Sequence, residues 1–143
     1  MRIHDVLRGK PDQHVITISP DASVRDLLKL LAQHNVGALV VSSDGEDVAG
    51  IVSERDVVRC LCDDEHVLDG PVSAIMTSSV RTADRDAQVD DLMALMTEHR
   101  VRHVPVLTDG RLTGIVSIGD VVKHRISQLE FERDQLDSYV HQT

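Results

Sequence analysis

Aromatic side chains are nearly missing from this 143-residue chain, which has no Trp, one Tyr and one Phe. Valine, leucine, isoleucine and alanine must therefore build the core. Cysteine is just as scarce. Cys60 and Cys62 are too few and too close for a disulfide framework. Two positions apart on a helix their side chains diverge, so they read as ordinary helix residues rather than metal ligands. Cations are outnumbered, 15 Lys and Arg against 24 Asp and Glu, for a formal charge of −9. That balance argues against a nucleic-acid surface, which neutralises phosphates with clustered basic groups. No apolar run approaches the roughly 18 residues of a membrane-spanning helix, and Met1-Arg2-Ile3-His4-Asp5 lacks the apolar stretch of a signal peptide. A soluble, cytoplasmic chain is expected. Gly-x-Ser-x-Gly, Gly-x-x-x-x-Gly-Lys-Ser/Thr and His-Glu-x-x-His are absent too, so no enzyme is expected.

What the chain does contain is a duplication. Gly50-Ile51-Val52-Ser53-Glu54-Arg55-Asp56 returns as Gly114-Ile115-Val116-Ser117-Ile118-Gly119-Asp120, each copy running from an apolar strand into Ser-x-x-Asp and a Val-Val pair. Recurrence at this length signals two structural repeats. Each half is too small to bury much of a core alone, so the halves are expected to pack together.

Within the first half, Met1 to Leu7 reads as a short amphipathic segment and residues 8–13 as a loop punctuated by Gly9 and Pro11. Val15-Ile16-Thr17-Ile18 predicts a strand. A helix follows, capped by Asp21 or Ser23, with Val24, Leu27, Leu28 and Leu31 along one face and an end near His34-Asn35. Ala38–Val41 and Val48–Val52 predict a hairpin, with Asp44-Gly45 favouring a tight reversal. Residues 53–62 predict a second helix. The acidic connection Asp63 to Pro71 leads into the second copy, where Val72 to Met76 echoes the leading segment and Val80-Arg81-Thr82 echoes Val15-Ile16-Thr17. Val89, Leu92, Met93 and Met96 repeat the helical stripe. Val101–Leu107 and Leu112–Val116 form the second hairpin about Asp109-Gly110.

The second copy does not stop where the first does. From Ser117 the helical pattern runs to about Val140, with Val122, Ile126, Leu129, Leu136 and Val140 at 4-3 spacing and Arg133 in the missing slot. The expected division is repeat 1 over 1–66, repeat 2 over 67–126 and a helical extension over 127–143, together one module. A seam of this kind suits a dimer or partner contact.

The repeated Ser-x-x-Asp has two chemical readings. Ahead of an apolar run it is a capping box, the hydroxyl accepting a helix N–H and the carboxylate reaching back. A strand leading into a helix N-terminus is also an anion site, and an ionised carboxylate can bridge the two hydroxyls of a ribose. The preceding strands match as well, Val36-Gly37-Ala38-Leu39-Val40-Val41 with Val101-Arg102-His103-Val104-Pro105-Val106. With these segments in order, twice, the chain resembles the CBS-domain family, named from cystathionine β-synthase, and the resemblance covers nearly its whole length.

The resemblance implies an α/β (α+β) fold of two tandem β-α-β-β-α repeats packed about a pseudo-twofold axis, here with an extended C-terminal helix, often dimerising into a flat disc. It implies a regulatory module that binds AMP, ATP, NAD, S-adenosylmethionine or a similar adenosine ligand in clefts between repeats and signals to an effector protein in trans. No catalytic cofactor is implied. By position, Asp56 and Asp120 would hold ribose hydroxyls, Ser53 and Ser117 would face phosphate, Thr17 and Thr82 would lie beside the nucleoside, and Ala38 and His103 would line the base. Because Arg100, Arg102 and His103 belong to the second half, where the first has Asn35, Gly37 and Ala38, the Asp120 site is expected to take a phosphorylated ligand more tightly than the Asp56 site. The alternative is a ligand-independent dimerisation scaffold whose Ser-x-x-Asp motifs are only helix caps.

Overall fold

The computed structural model describes residues 1–10 and 15–141. Residues 11–13 of the expected loop, and the last two of the helical extension, lie outside them. A short helix α1 (Ile3–Arg8) leads the chain. The first unit then runs through strand β1 (Thr17–Ile18), helix α2 (Val24–His34), strands β2 (Ala38–Val41) and β3 (Gly50–Ser53), and helix α3 (Glu54–Asp63). Two 3₁₀ turns, Glu65–Asp69 and Val72–Ala74, make the connection. The second unit repeats the order with β4 (Ala83–Asp84), α4 (Val89–His99), β5 (His103–Thr108), β6 (Arg111–Ser117) and α5 (Ile118–Val140).

Each unit builds a three-stranded sheet, β1-β2-β3 and β4-β5-β6. The helical crossover makes the outer strand parallel, and the hairpin is antiparallel. Equivalent pairs, Ala38 with Ser53 and His103 with Ser117, open the two hairpins. The helices form for local reasons. Ser23 Oγ accepts the Asp26 N–H at 3.1 Å, Val24, Leu27 and Leu31 turn inward, and Asn35 in a left-handed conformation ends α2. In α4 the inward stripe is Val89, Leu92 and Met96, whereas Met93 is 38% exposed, one position off the buried face.

The two cores exchange their leading segments. Ile3 and Val6 of α1 are buried with Val89, Leu92, Val104 and Val116 of the second unit. Reciprocally, Val72 is buried with Val24, Leu27, Val41 and Val52 of the first. Backbone bonds fix both crossings, Ile3 N–H to Ala87 O at 2.9 Å and Val72 N–H to Ala22 O at 2.8 Å. The exchange supplies each unit with apolar surface that its own sixty residues lack.

Three local expectations are corrected. The first strand is Thr17–Ile18 rather than Val15–Ile18, and its counterpart is Ala83–Asp84 rather than Val80–Thr82, because pairing is limited to Val40-Val41 and Val106-Leu107. The first hairpin does not reverse at Asp44-Gly45, since its register closes at Val41 with Gly50. Buried Ser42 accepts the Gly45 N–H at 2.8 Å, and Asp44 takes the Glu46 and Asp47 N–H groups at 2.8 and 2.9 Å, stabilising a wider loop over 42–49. Those two N–H groups hold the Asp44 carboxyl down at about 2. The second hairpin does turn tightly, with Asp109 and Gly110 at φ 52° and 80° between paired Thr108 and Arg111.

Helix α5 carries the second unit's first turns and then leaves it, extending about 35 Å in all. No helix among the described residues is long and apolar enough to cross a membrane.

Candidate functional site

Each Ser-x-x-Asp closes a capping box at the N-terminus of its helix. Ser53 N–H donates to Asp56 Oδ2 at 2.9 Å and Asp56 N–H returns to Ser53 Oγ at 3.3 Å. The second copy is the same within a few tenths of an ångström, 2.9 and 3.0 Å between Ser117 and Asp120. The capping reading therefore holds for both motifs. What surrounds them differs.

Around Asp56 the units leave a cleft of about 600 Å³, within the range of small-molecule sites. The first unit supplies Gly37 and Ala38 at the mouth of β2 and Ser53 to Asp56 at the start of α3. The connection adds Thr77, Ser79, Val80 and Arg81. Thr77 is held against β3 by reciprocal bonds with Ile51, both 2.9 Å. The second unit closes the far side with Arg100, Arg102 and His103. Arg100 ends α4 in a left-handed conformation, φ 54°, which turns the chain back towards β5. Asp56 is half-buried, and its Oδ2 serves the cap. Among the described residues Oδ1 has no protein partner.

Around Asp120 a chain cation has moved in. Lys10 Nζ lies 3.0 Å from Asp120 Oδ2 and donates to Ile115 O at 2.9 Å. Burial opposes ionisation of Asp120, but the Ser117 N–H and the Lys10 ammonium outweigh it and hold the carboxyl below its usual range. His103 sits between the two settings. Burial first, then the Lys10 and Arg102 charges, lower its pKa against the opposing pull of Asp120 and Glu54.

The expected site residues thus divide. Ala38, Ser53, Asp56, Arg102 and His103 line one cleft. Asp120, bonded to Ser117, meets Lys10. Thr17 pairs with Val40 in β1, and Thr82 stands just before β4; both are half-buried and outside the lining of the Asp56 cleft. Arg100 and Arg102, grouped in the sequence with Asp120, face Asp56 across the units. Sequence reasoning missed Lys10, Arg59, Thr77 and Arg81, because nothing local indicates which segment crosses to which unit. No cluster of three or more His, Cys, Asp or Glu suited to a metal ion occurs among the described residues.

Comparison with known proteins agrees with this architecture. The sequence profile of the CBS domain matches residues 3–63 and 72–127. The chain is 37% identical to the mitochondrial CBS domain-containing protein CBSX3 of Arabidopsis thaliana across 96% of its own length and 71% of the relative's. Among solved structures, the CBS-domain containing protein ATU1752 of Agrobacterium tumefaciens superposes with TM-score 0.82 at 40% identity, over 87% of this chain and 99% of that one. The CBS domain pair of protein MJ0100, solved with 5′-methylthioadenosine and S-adenosyl-L-methionine, superposes with TM-score 0.76 at 26% identity, over 86% and 98% of the two chains.

Proposed function

The chain belongs to the CBS-domain family, whose pairs are regulatory ligand-binding modules, and from that premise we propose that it senses an adenosine-containing nucleotide of the AMP, ATP or NAD kind in the cleft at Asp56. One observation carries this reading: the Asp56 carboxylate caps its helix through Oδ2 and, among the described residues, keeps Oδ1 without a protein partner in the wall of a cleft of about 600 Å³. A carboxylate so placed can accept a ribose hydroxyl and still cap. The N-terminus of α3 offers an anion site beside it, and the backbone at Ala38 offers an edge for the base. The adenosine ligands of the MJ0100 pair support this ligand class. The asymmetry expected from the sequence is reversed in this proposal. Asp56 is the open clamp, and Asp120, engaged by Lys10, is the weaker one.

Binding shifts the module between arrangements that hold the ligand unequally, and the output passes to an effector protein in trans. The module senses rather than catalyses. A second copy of the chain is its structural partner, through the CBS faces and α5. Val122, Ile126, Leu129, Leu136 and Val140 on α5 are 49–65% exposed. Lys123 and Arg125 flank the start of that seam, and in its later part Glu130, Glu132, Asp134 and Asp137 outnumber Arg133, so an antiparallel copy sets unlike charges opposite each other.

Calorimetry with AMP, ADP, ATP and NAD tests the ligand assignment. Asp56→Asn should weaken the bound nucleotide by roughly 10- to 100-fold, the worth of one charged hydrogen-bond partner, while Asp120→Asn changes it little. Saturating ligand at about 100 times its Kd should raise stability by about 2.7 kcal/mol. The second reading, a ligand-independent scaffold, is favoured by both motifs being closed capping boxes. Absence of any thermal shift with these nucleotides or S-adenosylmethionine would establish it instead.

A further inference from the structure

The cleft at Asp56 gathers basic side chains out of proportion to the chain. Arg55 and Arg59, one turn apart on α3, share it with Arg81 of the connection and with Arg100 and Arg102 of the second unit. These are five of the 15 Lys and Arg residues, whereas only Glu54 and Asp56 of the 24 acidic residues line it. A chain of net charge −9 has thus concentrated positive charge at one concave place.

The five are also uncommitted. Arg25 pairs with Asp69 at 3.0 Å, Arg111 with Glu46 and Arg133 with Asp134. Among the described residues, no ion pair or side-chain hydrogen bond occupies Arg55, Arg59, Arg81, Arg100 or Arg102. Exposed cations with abundant carboxylates elsewhere on the chain, yet unpaired and converging from three segments, match an anionic ligand better than a solvated face.

We propose that the Asp56 cleft selects adenosine polyphosphates, the di- and triphosphate, over the monophosphate, the free nucleoside and cationic sulfonium nucleosides. The proposal rests on the reading that this cleft holds an adenosine nucleotide. Five guanidiniums against two carboxylates leave a surplus of three positive charges. At neutral pH a diphosphate chain carries about three negative charges and a triphosphate about four, whereas a monophosphate carries about two. Only the longer chains offset the whole of that surplus. A sulfonium brings positive charge into a positive cleft, so S-adenosylmethionine is disfavoured here on the same grounds.

The test is a calorimetric series of ATP, ADP, AMP, adenosine, S-adenosylmethionine and inorganic tripolyphosphate on the full chain. A second arm uses Arg59→Gln/Arg102→Gln, whose exposed positions leave the fold intact by circular dichroism. The expected result is ATP and ADP bound at least tenfold more tightly than AMP, with ATP weakened tenfold or more in the double variant and by added salt while adenosine is unchanged. AMP or S-adenosylmethionine bound as tightly as ATP overturns the selectivity and leaves the nucleotide reading standing. Tripolyphosphate bound as tightly as ATP removes the nucleoside from the proposal. Failure of every adenosine compound to bind removes both.

Discussion

The ammonium of Lys10 lies 3.0 Å from Asp120 Oδ2, so the carboxylate of the site expected to take a phosphorylated ligand more tightly is already engaged by the chain itself. Lys10 follows α1, the helix whose Ile3 and Val6 are buried in the second unit, and that docking carries the cation to its partner. In Lys10→Met the Asp120 carboxyl should titrate closer to its ordinary value of 3.8. Its folded pKa is depressed in the native protein, so the stabilisation is present above 3.8 and lost as pH falls through the folded value. The variant should therefore lose about 1 kcal/mol at pH 7, a figure reduced by partial exposure, and its deficit should shrink at pH 3. Urea unfolding at both pH values reads the two deficits, and a constant difference would sink the assignment.

His103 supplies a second pH dependence. Its folded pKa is lowered below 6.5, chiefly by burial, with Lys10 and Arg102 adding to the effect and Asp120 and Glu54 opposing it. The unfolded chain thus binds the proton more readily. This contribution to stability is full above pH 6.5 and lost as pH falls through the folded value. His103→Gln should flatten the slope of unfolding free energy between pH 5 and 7. An unchanged slope would show that another group sets it.

The two motif glycines should differ in tolerance. A Cβ on Gly50 would lie 2.7 Å from Met76 Sδ and 2.8 Å from Thr77 O, a carbonyl fixed by the Ile51 N–H. The nearest atoms to a Cβ on Gly114 belong to the Leu7 side chain, its methyl groups at 2.9 Å, and these shift more readily than a fixed carbonyl. Gly50→Ala should destabilise by about 1–3 kcal/mol and Gly114→Ala by less. Denaturant midpoints decide, and the reverse order would refute the packing account.

Charge placed in the α5 seam should change assembly without changing the fold. Ile126 and Leu136 are 51% and 65% exposed in the single chain, so Asp at both positions disturbs no core. Light scattering should give a dimer mass for the native chain and a smaller mass or weaker association for the double variant. A monomeric native chain would remove the antiparallel pairing.

Much of this architecture is legible without coordinates, because it depends on neighbours in sequence. The duplicated Gly-Ile-Val-Ser-x-x-Asp marks two strand-to-helix junctions, and its serines and aspartates are the caps found there. The length of α5 follows from an unbroken helical pattern to Val140. The same local logic failed at Asp44-Gly45, where the buried Ser42 hydroxyl and the Asp44 carboxylate captured backbone N–H groups and widened the loop. It also failed at Met93, which lies one position off the buried stripe of α4.

The sequence by itself determined the two repeats, their caps and the residue types present at the two strand-to-helix junctions, since each is set within a few residues of chain. Which groups share a cleft was decided only by tertiary structure. Arg100 and Arg102 stand in the second unit but face Asp56 of the first, and Lys10 precedes the first unit but engages Asp120 of the second. The physical reason is the exchange of α1 and the Val72 segment between cores. Burial of those apolar residues fixes where the charged ones around them arrive, and no local pattern records that crossing.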